Sequence, residues 1–70
     1  MEVIIHLPDD IAQHLQARYG DVARYVLECV ARAGYREGVL NEEHLQRLLG
    51  YDTRIQVHAF LKEHEIPLRP

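Results

Sequence analysis

The sequence predicts a mainly α-helical fold in which one short N-terminal strand is followed by four helices. β-Branched residues cluster at residues 2–7, whereas apolar residues further along recur every three or four positions, as on a buried helix face. Gly20, Gly38 and Gly50 separate the periodic segments, in the manner of helix C-caps. We expect one domain over residues 1–70, with a strand and two helices for dimerisation at 1–38 and a helical hairpin and tail at 39–70.

Composition limits what this chain can do. Eight Lys and Arg residues face 11 Asp and Glu residues, a formal charge of -3, which counts against binding driven broadly by nucleic-acid phosphates. A single cysteine, Cys29, excludes an internal disulfide, and no apolar run is long enough for a membrane span, so we expect a cytoplasmic protein without a membrane partner. Because a chain this short buries only about 60% of its unfolded surface, we expect a homodimer.

The strand is expected at residues 2–7, with Pro8 ending it because proline has no N–H to donate. Alternation places Val3, Ile5 and Leu7 on one face, while Glu2, Ile4 and His6 lie on the other. No second strand is evident, so the predicted strand would have to pair with its twin in another subunit.

The first helix is predicted over residues 10–19, capped by Asp9 or Asp10 and ended by Gly20. Asp21 is placed to cap a second helix that runs to about Arg36. Its predicted apolar stripe consists of Val22, Val26, Cys29, Val30 and Ala33.

A third helix is predicted over residues 42–49 after Asn41, and a fourth over residues 54–64. Thr53 and Gln56 have the spacing of a capping box at the start of the fourth helix. The inward positions of the two helices are expected to be Leu45, Leu48, Leu49, Val57, Phe60 and Leu61. An extended tail follows at 66–68.

A strand followed by two helices is the layout of a ribbon-helix-helix protomer, in which two strands pair and enter the DNA major groove. On this hypothesis the dimer interface contains Val3, Ile5, Leu7, Val26 and Val30. The outer face of the ribbon would present Glu2, Ile4 and His6, none of which is a usual reader of base edges. The layout therefore favours dimerisation more than DNA reading.

The third and fourth helices form a second candidate, a helix-turn-helix whose later helix carries Arg54, Gln56, His58 and Lys62. Arg54, His58 and Lys62 step by four residues, whereas Gln56 is rotated by about 200° from Arg54. This cationic line could contact phosphates or an acidic pocket of a protein partner. The alternative is an ordinary helical hairpin with a solvated polar face.

Catalytic and metal-binding arrangements are not indicated. The five histidines form no i, i+4 pair, the chain contains no serine, and Cys29 lies on an apolar stripe. Adjacent Asp9 and Asp10 suit a helix start better than an acid pair. We therefore expect a protein that is not an enzyme and has no cofactor.

Four blocks in this chain resemble the small prokaryotic proteins grouped as uncharacterised protein family 0175. They are Leu-Pro-Asp-Asp at 7–10, Ala-Gly-Tyr-Arg-Glu-Gly at 33–38, Leu-Leu-Gly-Tyr-Asp-Thr-Arg at 48–54 and Val-His-Ala-Phe-Leu-Lys-Glu-His at 57–64. Glu65 stands where the family commonly has a glycine. The resemblance implies an antitoxin of a toxin-antitoxin system, encoded beside a PIN-domain ribonuclease toxin that it neutralises, with DNA binding for transcription regulation of its operon. The alternative is a small dimeric protein-protein interaction module with no DNA role.

Overall fold

Four helices make up the regular structure of the chain in a computed structural model that describes residues 1–69. They are α1 (Asp9–Tyr19), α2 (Val22–Arg36), α3 (Glu42–Leu49) and α4 (Arg54–Glu63). Each lies within one residue of its predicted bounds, so the four-helix prediction is confirmed. None of these helices is long and apolar enough to cross a membrane.

The predicted N-terminal strand is wrong, and with it the ribbon-helix-helix half. Residues 1–8 contain no strand, and no sheet forms anywhere in residues 1–69. β-Branched side chains favour an extended backbone, but a strand also needs a hydrogen-bonded neighbour. The rest of the described chain contains no strand that could pair with it. We call residues 1–8 the N-terminal arm.

Most of the helix starts follow the predicted capping. The Asp21 carboxylate accepts from the Arg24 N–H at 3.1 Å, and Thr53 and Gln56 form the expected capping box. The cap of α1 differs from the prediction, because Pro8 occupies the N-cap position and makes no side-chain bond. Asp9 and Asp10 instead lie in the first turn, where their negative charges interact favourably with the positive end of the helix dipole.

The core lies between α2, α3, α4 and the tail. Its buried members are Ala31, Tyr35, Leu45, Leu49, Val57, Phe60, Leu61 and Ile66. Leu48, predicted to face inward, is partly buried against this cluster. Ile66 reaches the core because the chain turns back after α4, where Glu65 has a φ of 57° and the Ile66 N–H donates to the Leu61 carbonyl at 2.9 Å.

The predicted apolar stripe of α2 is not the face that enters this core. Val22, Val26 and Cys29 are half-buried, and Val30 and Ala33 are exposed. α2 packs on α3 through Ala31 and Tyr35 instead, because the small alanine permits close approach and the tyrosine hydroxyl gains a partner in the tail.

α1 adds nothing to the core, since none of its residues is buried. It packs on α2, where the rings of Tyr19 and Tyr25 lie 3.8 Å apart between centroids, and its Ala12 and Leu15 are half-buried. Ile11 of α1 remains 45% exposed. The N-terminal arm and α1 therefore leave apolar side chains uncovered.

Candidate partner-binding surfaces

The predicted cationic line lies on α4, but a carboxylate from α3 sits against it. Arg54 Nη1 is 4.0 Å from Glu42 Oε1, and His58 Nε2 hydrogen-bonds to the same oxygen. Glu42 belongs to the first turn of α3, and the packing of α3 on α4 brings it to the first half of α4. Two of the three members of the line thus already share an internal carboxylate.

Gln56 is occupied by the backbone of its own helix start. Its side-chain oxygen accepts from the Asp52 N–H at 2.7 Å and from the Thr53 N–H at 3.0 Å. Releasing this oxygen would leave two N–H groups of the turn without their acceptor. The role of Gln56 is to cap α4, which makes it a poor candidate for reading bases.

Lys62 is the member of the line that lies exposed with no ion pair among residues 1–69. It borders an open groove of about 460 Å³ between α4 and the tail. The groove is lined by His58, Lys62, Glu65, Ile66, Pro67 and Leu68. A cation beside an apolar wall suits a partner segment that has a carboxylate next to an apolar side chain.

The residues predicted for a dimer interface are uncovered in the single chain. Val3, Ile5 and Val30 are 66%, 57% and 51% exposed, while Leu7 and Val26 are half-buried. They therefore remain free to contact another molecule.

Both sides of the N-terminal arm are open. Glu2, Ile4 and His6, which were expected on the outer face of a ribbon, are also exposed, and Ile4 is 72% exposed. Of the two predicted faces of the arm, only Leu7 is half-buried, and the other five residues are exposed.

Tyr25 and Cys29 form a small polar cluster beside α1. Arg32 Nη2 lies 3.2 Å from the Cys29 sulfur. Side-chain hydrogen bonding to Tyr19, and then to Cys29, raises the pKa of Tyr25 to about 12. The cluster joins α1 to α2 and is consistent with a structural role for the thiol.

Several tertiary contacts were not predicted from the sequence. Arg24 pairs with Glu28 one turn along α2, and it also donates to the Leu49 carbonyl at 2.7 Å at the C-terminal end of α3. Arg69 lies over the Tyr35 ring, 4.2 Å from its centroid. Arginines at these positions carry no local spacing that could have revealed their distant partners.

Comparison with known proteins gives one match. The family model described as Uncharacterised protein family (UPF0175) matches residues 1–70, so the chain belongs to this family. No curated protein and no solved structure matches significantly.

Proposed function

We propose that this family member is an antitoxin that works as a homodimer, binding and neutralising a PIN-type ribonuclease toxin. The observation that carries the proposal is the uncovered apolar surface of the N-terminal half. Val3, Ile4 and Ile5 of the arm are each more than half exposed, and α1 buries no residue. Exposed apolar side chains clustered along one part of a small chain are typical of a protein that acts by association.

The toxin contact is assigned to the C-terminal half, at Lys62 and the groove beside it. The ammonium can meet a carboxylate of the acidic pocket expected in a PIN-type nuclease, while Pro67 and Leu68 offer apolar contact. Arg54 would have to exchange Glu42 for a partner carboxylate, so its net contribution is smaller than that of Lys62.

DNA binding is the weaker part of the antitoxin role. Glu42 offsets the charge of Arg54, and Gln56 is used in capping. These contacts favour the alternative function, a small dimeric protein-protein interaction module with no DNA role. If the chain does regulate its operon, the toxin could supply the cationic surface that contacts phosphates, so DNA binding is expected mainly in the complex.

The test combines the full chain with the protein encoded by the neighbouring gene. RNA cleavage by that protein should be inhibited by the wild-type chain. Lys62→Glu should weaken inhibition at least tenfold, whereas Arg47→Glu, which changes an exposed cation on α3, should leave it unaltered. Far-ultraviolet circular dichroism checks that both variants are folded.

Failure of the wild-type chain to bind or inhibit that protein contradicts the proposed function. Equal inhibition by the two variants removes Lys62 from the contact surface. Binding to the operon's own promoter fragment is measured separately, over a salt series and with and without the neighbouring protein. Promoter binding that is absent in both cases supports the interaction module over the regulator.

A further inference from the structure

One side of α2 carries no charged residue along the length of the helix. Positions three or four residues apart place its members on one face, beside the face that packs on α3. They are Ala23, Val26, Leu27, Val30 and Ala33, whereas Gly34 on the same side is covered by Leu40. We call this set the aliphatic face of α2. Leu27 is 38% exposed and Val30 is 51% exposed, so the centre of the face is open to solvent.

The N-terminal arm and α1 add to the uncovered surface. Val3, Ile4 and Ile5 are 66%, 72% and 57% exposed, and Ile11 on α1 is 45% exposed. An isolated helix of 11 residues is marginally stable in water, because nucleation is costly and few hydrogen bonds repay it. α1 therefore depends on packing for its stability, and its exposed Ile11 offers further apolar surface for a partner to cover.

We infer that the aliphatic face of α2 is the centre of the homodimer interface, with α2 of one copy packed antiparallel on α2 of a second copy. Exposed side chains of the arm and Ile11 extend the contact around this centre. The inference rests on the proposed function in that it locates the interface of the proposed homodimer. It involves packing of side chains and needs no pairing of strands.

The area available matches a second copy of the chain. A stable interface needs roughly 800 Å² from each partner. The apolar residues Val3, Ile4, Ile5, Ile11, Leu27 and Val30 are each 38% to 72% exposed and can supply much of that area. Alanines and polar groups at the edge supply the remainder. The surface is thus adequate for one protein partner of the size of this chain.

Charge distribution also favours self-association. A two-fold interface brings each residue of a face against the same face of the partner, so an uncharged face avoids like-charge contacts. Glu37 follows the aliphatic face just beyond the end of α2. Antiparallel packing centred between Leu27 and Val30 keeps the two Glu37 carboxylates at opposite ends of the interface, whereas parallel packing would bring them together.

Sedimentation equilibrium of the full chain measures the association directly. The wild-type protein should have twice the chain mass of 8.2 kDa, and Val30→Glu should shift it to a single chain mass. Val39→Glu is the matched control, because Val39 is 72% exposed but lies in the connection after α2. A wild-type monomer at every concentration, or a dimer unaffected by Val30→Glu, overturns the inference.

Cysteine crosslinking keeps the inference testable if Val30→Glu fails to fold. Val30→Cys in a Cys29→Ala background puts one thiol close to the predicted two-fold axis, and oxidation should give a covalent dimer. Val39→Cys in the same background should give at least tenfold less covalent dimer. Equal crosslinking of the two variants contradicts the assigned face. A crosslinked dimer that fails to inhibit the neighbouring protein contradicts the proposed function instead and leaves the interface standing.

Discussion

Glu65→Gly should stabilise the protein, because Glu65 adopts a conformation that suits glycine. Its φ of 57° is left-handed, and this turn lets the Ile66 N–H donate to the Leu61 carbonyl and buries the Ile66 side chain. A left-handed conformation costs a residue with a Cβ about 1–2 kcal/mol. Glycine removes this cost.

The expected gain in stability from Glu65→Gly is smaller than the full cost of the left-handed conformation. Glycine also increases the freedom of the unfolded chain, which lowers stability by about 0.4–1 kcal/mol. The net increase in the free energy of unfolding from the backbone alone, apart from the lost charge, should be about 0.5–1 kcal/mol, which raises Tm by about 2–8 °C in a domain of this size. Urea and thermal unfolding at a fixed protein concentration measure both quantities.

A charge control separates the backbone from the side chain. Glu65→Gln removes a negative charge from the C-terminal end of α4, which alone is favourable by about 0.3–1 kcal/mol at most, but keeps the Cβ. Glu65→Gly should therefore be more stable than Glu65→Gln. If the two variants unfold together, or if the glycine variant is the less stable, the left-handed strain assigned to Glu65 is wrong.

Three further changes test other parts of the fold. Gly50 has a φ of 70° at the end of α3, so Gly50→Val should lower the free energy of unfolding by about 1 kcal/mol or more. Gly50→Asn should lower it by less, because asparagine tolerates the left-handed conformation better. Equal melting of the two variants would exclude a left-handed cap. Arg69→Met should cost about 1 kcal/mol by removing the bond from Arg69 Nη2 to the Leu40 carbonyl and the cation-π contact, whereas Arg47→Met should be neutral in the same unfolding assay. Because the pKa of Tyr25 is raised from 10.0 to about 12, the folded state favours the neutral phenol, and stability should fall as pH rises from about 10 through 12. An ultraviolet titration should show this ionisation as a step that is missing from Tyr25→Phe. A Tyr25 titration near pH 10 would contradict the hydrogen bonding assigned to it.

Local signals in the sequence predicted the helices well. The bounds of all four follow from helical periodicity and from caps such as Asp21, Thr53 and Gly50, since these interactions join residues only a few positions apart. The strand failed because pairing depends on a distant neighbour, which the β-branched composition of the arm cannot reveal. The core face of α2 was predicted wrongly for a similar reason. The side with Ala31 and Tyr35 also carries Arg24 and Glu28, so apolar periodicity does not reveal that it packs on α3.

The candidate site was predicted in part. Arg54, His58 and Lys62 share a helix face because their spacing fixes it, but Glu42 is far away in the sequence and its contact with Arg54 depends on how α3 packs on α4. The same limit applies to the aliphatic face of α2. The sequence shows which residues form this face, but whether they stay exposed depends on which side of α2 packs on α3.

Hydrogen exchange over a range of protein concentrations tests most directly the central claim that association completes the N-terminal half. Amides of α1 should become more protected as concentration rises, because a second copy covers Ile11 and the arm. Amides around Leu45 in the core should change much less over the same range. Protection of α1 that is the same at low micromolar and at millimolar concentration, with the wild-type chain monomeric throughout, would contradict the account.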